Sequence, residues 1–366
     1  MSSRKIRRKP FSATLQITEG CNLRCKMCYY WGDTGTYSNQ SEKSKPNMME
    51  LALIERIVKE SGAKFYSLFG GEPLTHPEFE KIVQIIKASG AIIDTPTNGT
   101  LLKKHAAMLV ELGFDSVRIS LDGPRDVNDI QRGKGSYDKA IEGVKALYEE
   151  KKRTEKKLPI IGLLYTITPI NYLQTEKYFL EDLDLSYFHN ITIQLENYIT
   201  EEMGKEYERF LKSHFNITSN RYWKGMVRSF SYFEDMDLVE LSRQLNSAVK
   251  YLEEKGIAVI REPPLSSIED LEAYFKADWE NLSIQYETCP LPWTSTDIAA
   301  NGDVVPCHVF YDLDVGNLHQ NSLLEIWKGE KFKKFREYMD NNKLMSICQG
   351  CCLLYIHGTK KSENKK

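Results

Sequence analysis

The residues best suited to chemistry in this chain are its cysteines. Three of them, Cys21, Cys25 and Cys28, stand in Gly20-Cys21-Asn22-Leu23-Arg24-Cys25-Lys26-Met27-Cys28 at spacings of four and three. Thiolates are preferred ligands of iron–sulfur clusters. A [4Fe–4S] cube has four iron corners, so three cysteines leave one iron for a ligand that is not protein. Other uses of three thiols fit less well. A zinc knuckle needs a fourth Cys or His close by, and His76 is far off in sequence. Disulfide frameworks belong to small secreted domains, whereas this chain has 366 residues and no secretory signal. A metal-free cluster of buried thiols is the remaining alternative.

The other five cysteines lie toward the C-terminal end: Cys289, Cys307, and the run Cys348-Gln349-Gly350-Cys351-Cys352. Asn301-Gly302 between two strand-like runs, Thr296–Ala300 and Asp303–Pro306, is a strong hairpin signal. Cys289 and Cys307 would therefore flank a hairpin. Two distant cysteines plus a CxxC supply four ligands, enough for a tetrahedral zinc or a whole cluster.

These motifs need a frame. From Ala13 onward, strand-like and helix-like segments alternate. Strands are expected at 13–18, 65–69, 91–95, 116–121, 160–166 and 191–195. Helices are expected at 49–61, 78–89, 101–112, 137–152 and 172–185, with apolar residues such as Phe79, Ile82, Val83 and Ile86 recurring at helical spacing. Alternation of this kind means parallel βαβ units. Parallel sheets put ligand chemistry at the C-terminal ends of their strands. The cysteine loop, Gly70-Gly71-Glu72-Pro73, Thr97-Asn98-Gly99 and Ser120-Leu121-Asp122-Gly123 all fall at such ends. That is expected if one ligand lies across the top of the sheet. Residues 197–285 differ: they are aromatic and charged, lack cysteine, and read as a bridging helical segment with a helix at 236–254 and a short strand at 257–261.

Composition narrows the partners. The chain is 41% hydrophobic and 27% charged, ordinary for a globular protein. Lys plus Arg is 49 against 51 Asp plus Glu, a net charge of -2 that argues against nucleic acid as the main partner. No run approaches the ~18 apolar residues of a membrane span. Cysteines without a secretory signal point to the reducing cytoplasm. Residues 1–11 are locally basic and read as a solvated tail, and 359–366 as a disordered one.

The CxxxCxxC stretch resembles the signature of the radical S-adenosylmethionine (radical SAM) enzymes, and residues 12–200 are similar to that core throughout. The resemblance implies an α/β fold, a partial (β/α)6 TIM-like barrel. It implies that Cys21, Cys25 and Cys28 hold a [4Fe–4S] cluster whose open iron binds SAM, and that reductive cleavage yields a 5′-deoxyadenosyl radical. SAM contacts are implied for Gly70, Gly71, Glu72, Pro73, Asn98, Ser120, Asp122 and Arg132. Met27 stands where the family usually has an aromatic residue against adenine, a contact a polarizable Met can also make. Residues 286–358 resemble the SPASM/Twitch domains of some family members. No cysteine follows Cys352, so the shorter Twitch pattern is the expectation: a small α+β domain with one auxiliary [4Fe–4S] cluster on Cys289, Cys307, Cys348 and Cys351. Cys352 is then spare, a buried thiol or a hydrogen-atom donor. Glu196, Asp303 and His308 are candidate proton acceptors. The resemblance implies a flavodoxin- or ferredoxin-type reductant. A small-molecule substrate is expected over a peptide, because no leader-peptide-binding domain precedes the first strand. A non-catalytic iron–sulfur electron carrier or sensor is the rival class, disfavoured by the SAM-binding constellation between Gly70 and Arg132.

Overall fold

The computed structural model describes residues 7–38, 45–218 and 222–361. Seven strands, β1 (Ser12–Thr18), β2 (Phe65–Gly70), β3 (Ile92–Thr97), β4 (Ser116–Ser120), β5 (Ile160–Ile167), β6 (Asn190–Leu195) and β7 (Ala258–Glu262), pair in parallel in that order. β1 to β6 bury residues outward against helices. Leu15, Ile17, Tyr66, Leu68, Ile93, Val117, Ile119, Ile161 and Leu163 all belong to this wall and are almost wholly buried. The helices answer with one apolar face each: Leu53, Ile54, Ile57 and Val58 on α1 (Leu51–Ser61), and Phe79, Ile82, Val83 and Ile86 on α2 (Phe79–Ala88). Then follow α3 (Leu102–Glu111), α4 (Arg125–Arg132) and α5 (Ser136–Thr154).

The C-terminal part is not a separate layer. After β8 (Tyr286–Thr288), strand β9 (Ser295–Ile298) pairs in parallel with β1, and β10 (Asp303–Val305) folds back on it as the expected hairpin, with Val304 opposite Ile298. A two-residue strand, β11 (Gly316–Asn317), completes one ten-stranded sheet.

Four expectations need correction. The short strand expected at 257–261 forms at Ala258–Glu262 and joins the core sheet beside β6 as β7, which makes seven parallel core strands where six were expected. The helix expected at 172–185 is broken into a 3-10 turn (Tyr172–Gln174), one α-turn (Thr175–Lys177) and a π-turn (Tyr178–Asp182). Tyr178 and Phe179 are both fully buried, and Tyr165 packs 5.8 Å and 5.0 Å from their rings. A widened turn lets two consecutive aromatics face inward. Residues 7–11 are not a free tail: the Arg7 carbonyl accepts from Trp327 Nε1 and the Phe11 N–H donates to Thr294. Thr359–Lys360 pairs with β8, so the C-terminal stretch is structured there. The basic residues 1–6 and the lysines from 362 onward lie outside the described residues.

Candidate active site

The cysteine loop is anchored by backbone before any side chain acts. The Gly71 N–H donates to Thr18 O (2.9 Å) and the Glu72 N–H to Gly20 O (2.8 Å). A Cβ on Gly71 would lie 2.2 Å from the Gly20 carbonyl, so only glycine lets the end of β2 meet the loop. The double glycine thus first serves the loop's own approach. Glu72, 2% exposed, accepts from Leu74 N, Thr97 Oγ1 and Asn98 N at 3.1, 2.7 and 2.8 Å. Burial pushes its carboxyl up, and those three donors oppose the shift. Asn98 reaches Asn22 of the loop at 2.9 Å, and Asn22 reaches Thr100 at 2.8 Å.

The opposite side of the loop rests on the end of α4. Lys26 N–H donates to Gln131 O at 2.9 Å, and Arg132 Nη1 stands 4.0 Å from Cys25 Sγ. Asp122, fully buried, is held from several directions: ion-paired with Arg132 at 2.5 Å, accepting from Gln131 Nε2 at 2.6 Å and from Thr166 N at 2.8 Å. Burial disfavours the Arg132 charge, but Asp122 and Cys25 outweigh it and hold the guanidinium protonated. Asp122 and Arg132 therefore pair with each other. Ser120 ends β4 at the same rim. Met27 contributes its carbonyl, which accepts from Arg228 Nη2 at 2.7 Å.

The three thiols lie near enough to act on one another and suit a cluster. Burial, then the Glu72 carboxylate and the neighbouring thiols, push Cys21 up to about 12; burial, opposed by Arg132, pushes Cys25 up to about 11. Backbone N–H groups of Leu23 and Trp31 point at Cys21 Sγ and Cys28 Sγ, both at 3.4 Å. Such donors, with Arg132 beside Cys25, stabilise anionic cluster sulfurs. A single zinc needs sulfurs roughly 4 Å apart. Among the described residues no three Cys, His, Asp or Glu side chains converge on a one-ion site.

The C-terminal cysteines also assemble. Cys307, Cys348 and Cys351 are buried; burial raises the Cys307 and Cys348 thiols, the hydrogen bond with Cys352 and then burial raise that of Cys351, and Cys289 adds to all three. Gly350 sets their position: a Cβ there would lie 2.3 Å from the Tyr198 carbonyl, just after β6. The CxxC turn is therefore pressed onto the barrel rim.

Between the two sets stands a polar junction. Tyr29 Oη meets His308 Nε2 at 3.1 Å, and His308 Nδ1 meets Asp297 Oδ2 at 3.3 Å. The buried Tyr29 hydroxyl is raised by desolvation, and then by Cys352, Cys28 and Cys351, which places it between both cysteine sets. Cys352 borders His308, Arg118 and Asn197.

The candidate proton acceptors separate. His308 sits in this junction. Glu196 is bound to Arg228 Nε (2.8 Å) and Tyr232 Oη (3.0 Å), and burial, its largest influence, raises its carboxyl. Asp303 does not reach the junction: it starts β10 and accepts from Asn301 and Asn317, a turn-building role. Sequence reasoning missed Asn22, Asp94, Arg118, Gln131, Asp297, Arg228 and Glu262. Asp94 and Arg118 carried a signal, since each is a charge next to aliphatic residues of a buried strand. Two surface depressions of about 380 and 360 Å³, beside His189 and Tyr251, lie at the opposite end of the sheet and hold none of these groups.

Comparisons with known proteins agree with this geometry. Residues 15–172 match the radical SAM superfamily, and residues 289–352 match the SPASM iron–sulfur cluster-binding domain. The chain is 26% identical, over 93% of its own length and 86% of the relative's, to the tungsten-containing aldehyde ferredoxin oxidoreductase cofactor-modifying protein of Pyrococcus furiosus. It is 34% identical to a probable GTP 3′,8-cyclase of Methanocella arvoryzae, over 38% of this chain and 44% of that protein. Among solved structures, Streptococcus suis SuiB bound to S-adenosylmethionine aligns with TM-score 0.62 and 16% identity, covering 90% of this chain and 68% of that one. The anSMEcpe structure with bound AdoMet aligns with TM-score 0.59 and 19% identity, covering 95% and 89%, which shows a shared fold. No described helix is long and apolar enough to cross a membrane. The chain is a radical SAM enzyme, of the superfamily that uses S-adenosylmethionine and [4Fe–4S] clusters, and it carries a C-terminal SPASM domain.

Proposed function

We propose that this enzyme is an oxidoreductase of a small metabolite. In this reading Cys21, Cys25 and Cys28 hold the SAM-binding cluster, and Cys289, Cys307, Cys348 and Cys351 hold one auxiliary [4Fe–4S] cluster. The observation that carries it is the junction at the C-terminal rim of the sheet, where Tyr29, next in sequence to Cys28, bonds His308, next in sequence to Cys307. Bound there, cluster and SAM together supply a 5′-deoxyadenosyl radical able to remove a substrate hydrogen.

The chain's own residues bind and orient. Gly70, Gly71, Glu72 and Pro73 shape the rim that receives the methionine amino group. Asp122 fixes Arg132, whose forked donors suit the methionine carboxylate. Asn98, Ser120 and Met27 line the remaining contacts. His308, oriented by Asp297, is the best placed of the three proton acceptors. Four thiols leave the second cluster no open iron, so its role is electron transfer, which favours a net two-electron oxidation such as dehydrogenation. Epimerisation, redox-neutral for the substrate, is the other outcome: Cys352 would give the returning hydrogen atom, and its thiyl would be restored by one electron from the auxiliary cluster and one proton from solvent. A cytoplasmic setting and a flavodoxin- or ferredoxin-type donor complete the reading.

The test is SAM cleavage by anaerobically reconstituted protein given a one-electron reductant. Release of methionine and 5′-deoxyadenosine, lost in Cys21→Ala, supports an enzyme of this kind. A protein with full iron that never cleaves SAM would instead be an electron carrier or sensor.

A further inference from the structure

The inward faces of the barrel strands are not sealed as the outward faces are. Ser67, Phe69, Pro96, Arg118, Leu164 and Gln194 remain half-buried on the lumen side, while their sequence neighbours are mostly buried against the helices. Polar atoms without partners gather on this inner wall. Arg118 Nη2 binds Asp94 Oδ2 at 2.9 Å, yet Arg118 Nε and Asp94 Oδ1 are buried with no hydrogen-bond partner among the described residues. Gln16, fully buried on the inward face of β1, accepts from Ala300 N through Oε1 but leaves Nε2 without a partner. Glu262 closes β7, is 5% exposed, and has Arg118 as its cationic neighbour. Each such orphan loses the hydrogen bonds that water gave it in the unfolded chain. Several on one wall mark a place where something else supplies the partners.

We propose that this lumen wall binds an amino-acid-type ligand, Arg118 taking its carboxylate or carbonyl oxygen and Asp94 and Glu262 taking its ammonium. The inference rests on the reading of the chain as a small-metabolite enzyme and names the substrate class. The unpartnered atoms point to it: Arg118 and Asp94 pair through one edge each, which leaves the Nε edge of Arg118 without an acceptor and Asp94 Oδ1 without a donor. A ligand with an ammonium beside an oxygen anion supplies both. The depth is also right. Arg118 lies two residues before Ser120 on the same face of β4, about 6.7 Å below the rim. A small ligand held at Arg118 would therefore reach the level of Ser120 and Asp122.

The test measures binding to the anaerobically reconstituted full chain. The twenty common L-amino acids are titrated at millimolar concentration, each against its N-acetyl amide, by equilibrium dialysis and thermal shift. At least one free amino acid is expected to bind, with its N-acetyl amide at least about tenfold weaker. Asp94→Asn, Glu262→Gln and the conservative Arg118→Lys are each expected to weaken binding by a similar factor. Iron content and melting temperature report whether each variant folds, and the conservative Arg118→Lys keeps the test usable if another variant does not. No amino acid bound, capped forms bound equally well, or folded variants that bind like wild type would each overturn the proposal. SAM cleavage separates this failure from the earlier one: intact cleavage with no amino acid bound sinks only the present inference.

Discussion

Removing Arg228 should do more damage than its place outside every motif suggests. Its guanidinium is 7% exposed and binds Glu196 Oε1 at 2.8 Å, Met27 O at 2.7 Å, Gly225 O at 3.1 Å and Val227 O at 2.9 Å. It ties the cysteine loop to the end of β6 and to the bridging segment. Arg228→Met would leave Glu196, 2% exposed, with Tyr232 as its one remaining side-chain donor. Stranding one member of a buried pair costs about 3–5 kcal/mol. With a urea m-value of about 3 kcal/mol per molar, the midpoint should fall by roughly 1–1.7 M. Adding Glu196→Gln removes the stranded charge and should return the loss to about 1–2 kcal/mol. The loop's anchor at Met27 stays broken in both variants, so N-terminal cluster loading should remain low in the double variant while stability recovers. Urea unfolding followed by circular dichroism, with iron per chain measured in parallel, reads both effects. A single variant that loses less than about 1 kcal/mol, or a double variant no better than the single, would refute the reasoning.

Other outcomes follow from the same geometry. Gly71→Ala puts a methyl 2.2 Å from the Gly20 carbonyl, so the loop must move; iron at the N-terminal set should drop while the C-terminal set stays loaded. Gly350→Ala meets the Tyr198 carbonyl at 2.3 Å and should do the reverse, read by the same iron assay. Tyr29→Phe strands His308 Nε2 in a buried junction and should cost about 1–3 kcal/mol in urea unfolding. Glu262 has its carboxyl raised to about 8, first by burial and then by Cys352. A raised carboxyl favours the protonated fold, so its stabilisation is complete below the ordinary 4.5 and is lost as pH rises through about 8. Glu262→Gln should flatten the stability profile across that window, with wild type losing at most about 5 kcal/mol more than the variant. Parallel profiles would show that Glu262 does not titrate this way.

The strand ends were readable because two independent periods met there. Apolar runs gave the strands, and glycine or polar motifs marked where each one stopped. The Asn301-Gly302 hairpin was legible for the same local reason. What the sequence hid is long-range. Nothing local to 258–262 says that it lies beside β6, and nothing in 295–298 says that it lies beside β1; both pairings are fixed by where the intervening helices pack. The broken helix at 172–182 follows from the buried ring of Tyr165, which no window on the helix contains. At the site, the cysteines were legible by spacing. The Asp122–Arg132 pair was seen as two separate ligand contacts because pairing depends on how α4 turns back over the cysteine loop. Arg118 and Asp94 were passed over as strand residues, although charges on the inner face of buried strands were the visible sign.

The central claim is that two clusters share one rim. It is tested most directly by counting iron and sulfide after anaerobic reconstitution of wild type and of the Cys21→Ala/Cys25→Ala/Cys28→Ala variant. The account predicts about eight irons per chain falling to about four, with SAM cleavage lost. A fall from about four to none would mean that the C-terminal cysteines hold no cluster, and the electron-transfer role proposed for them would go with it.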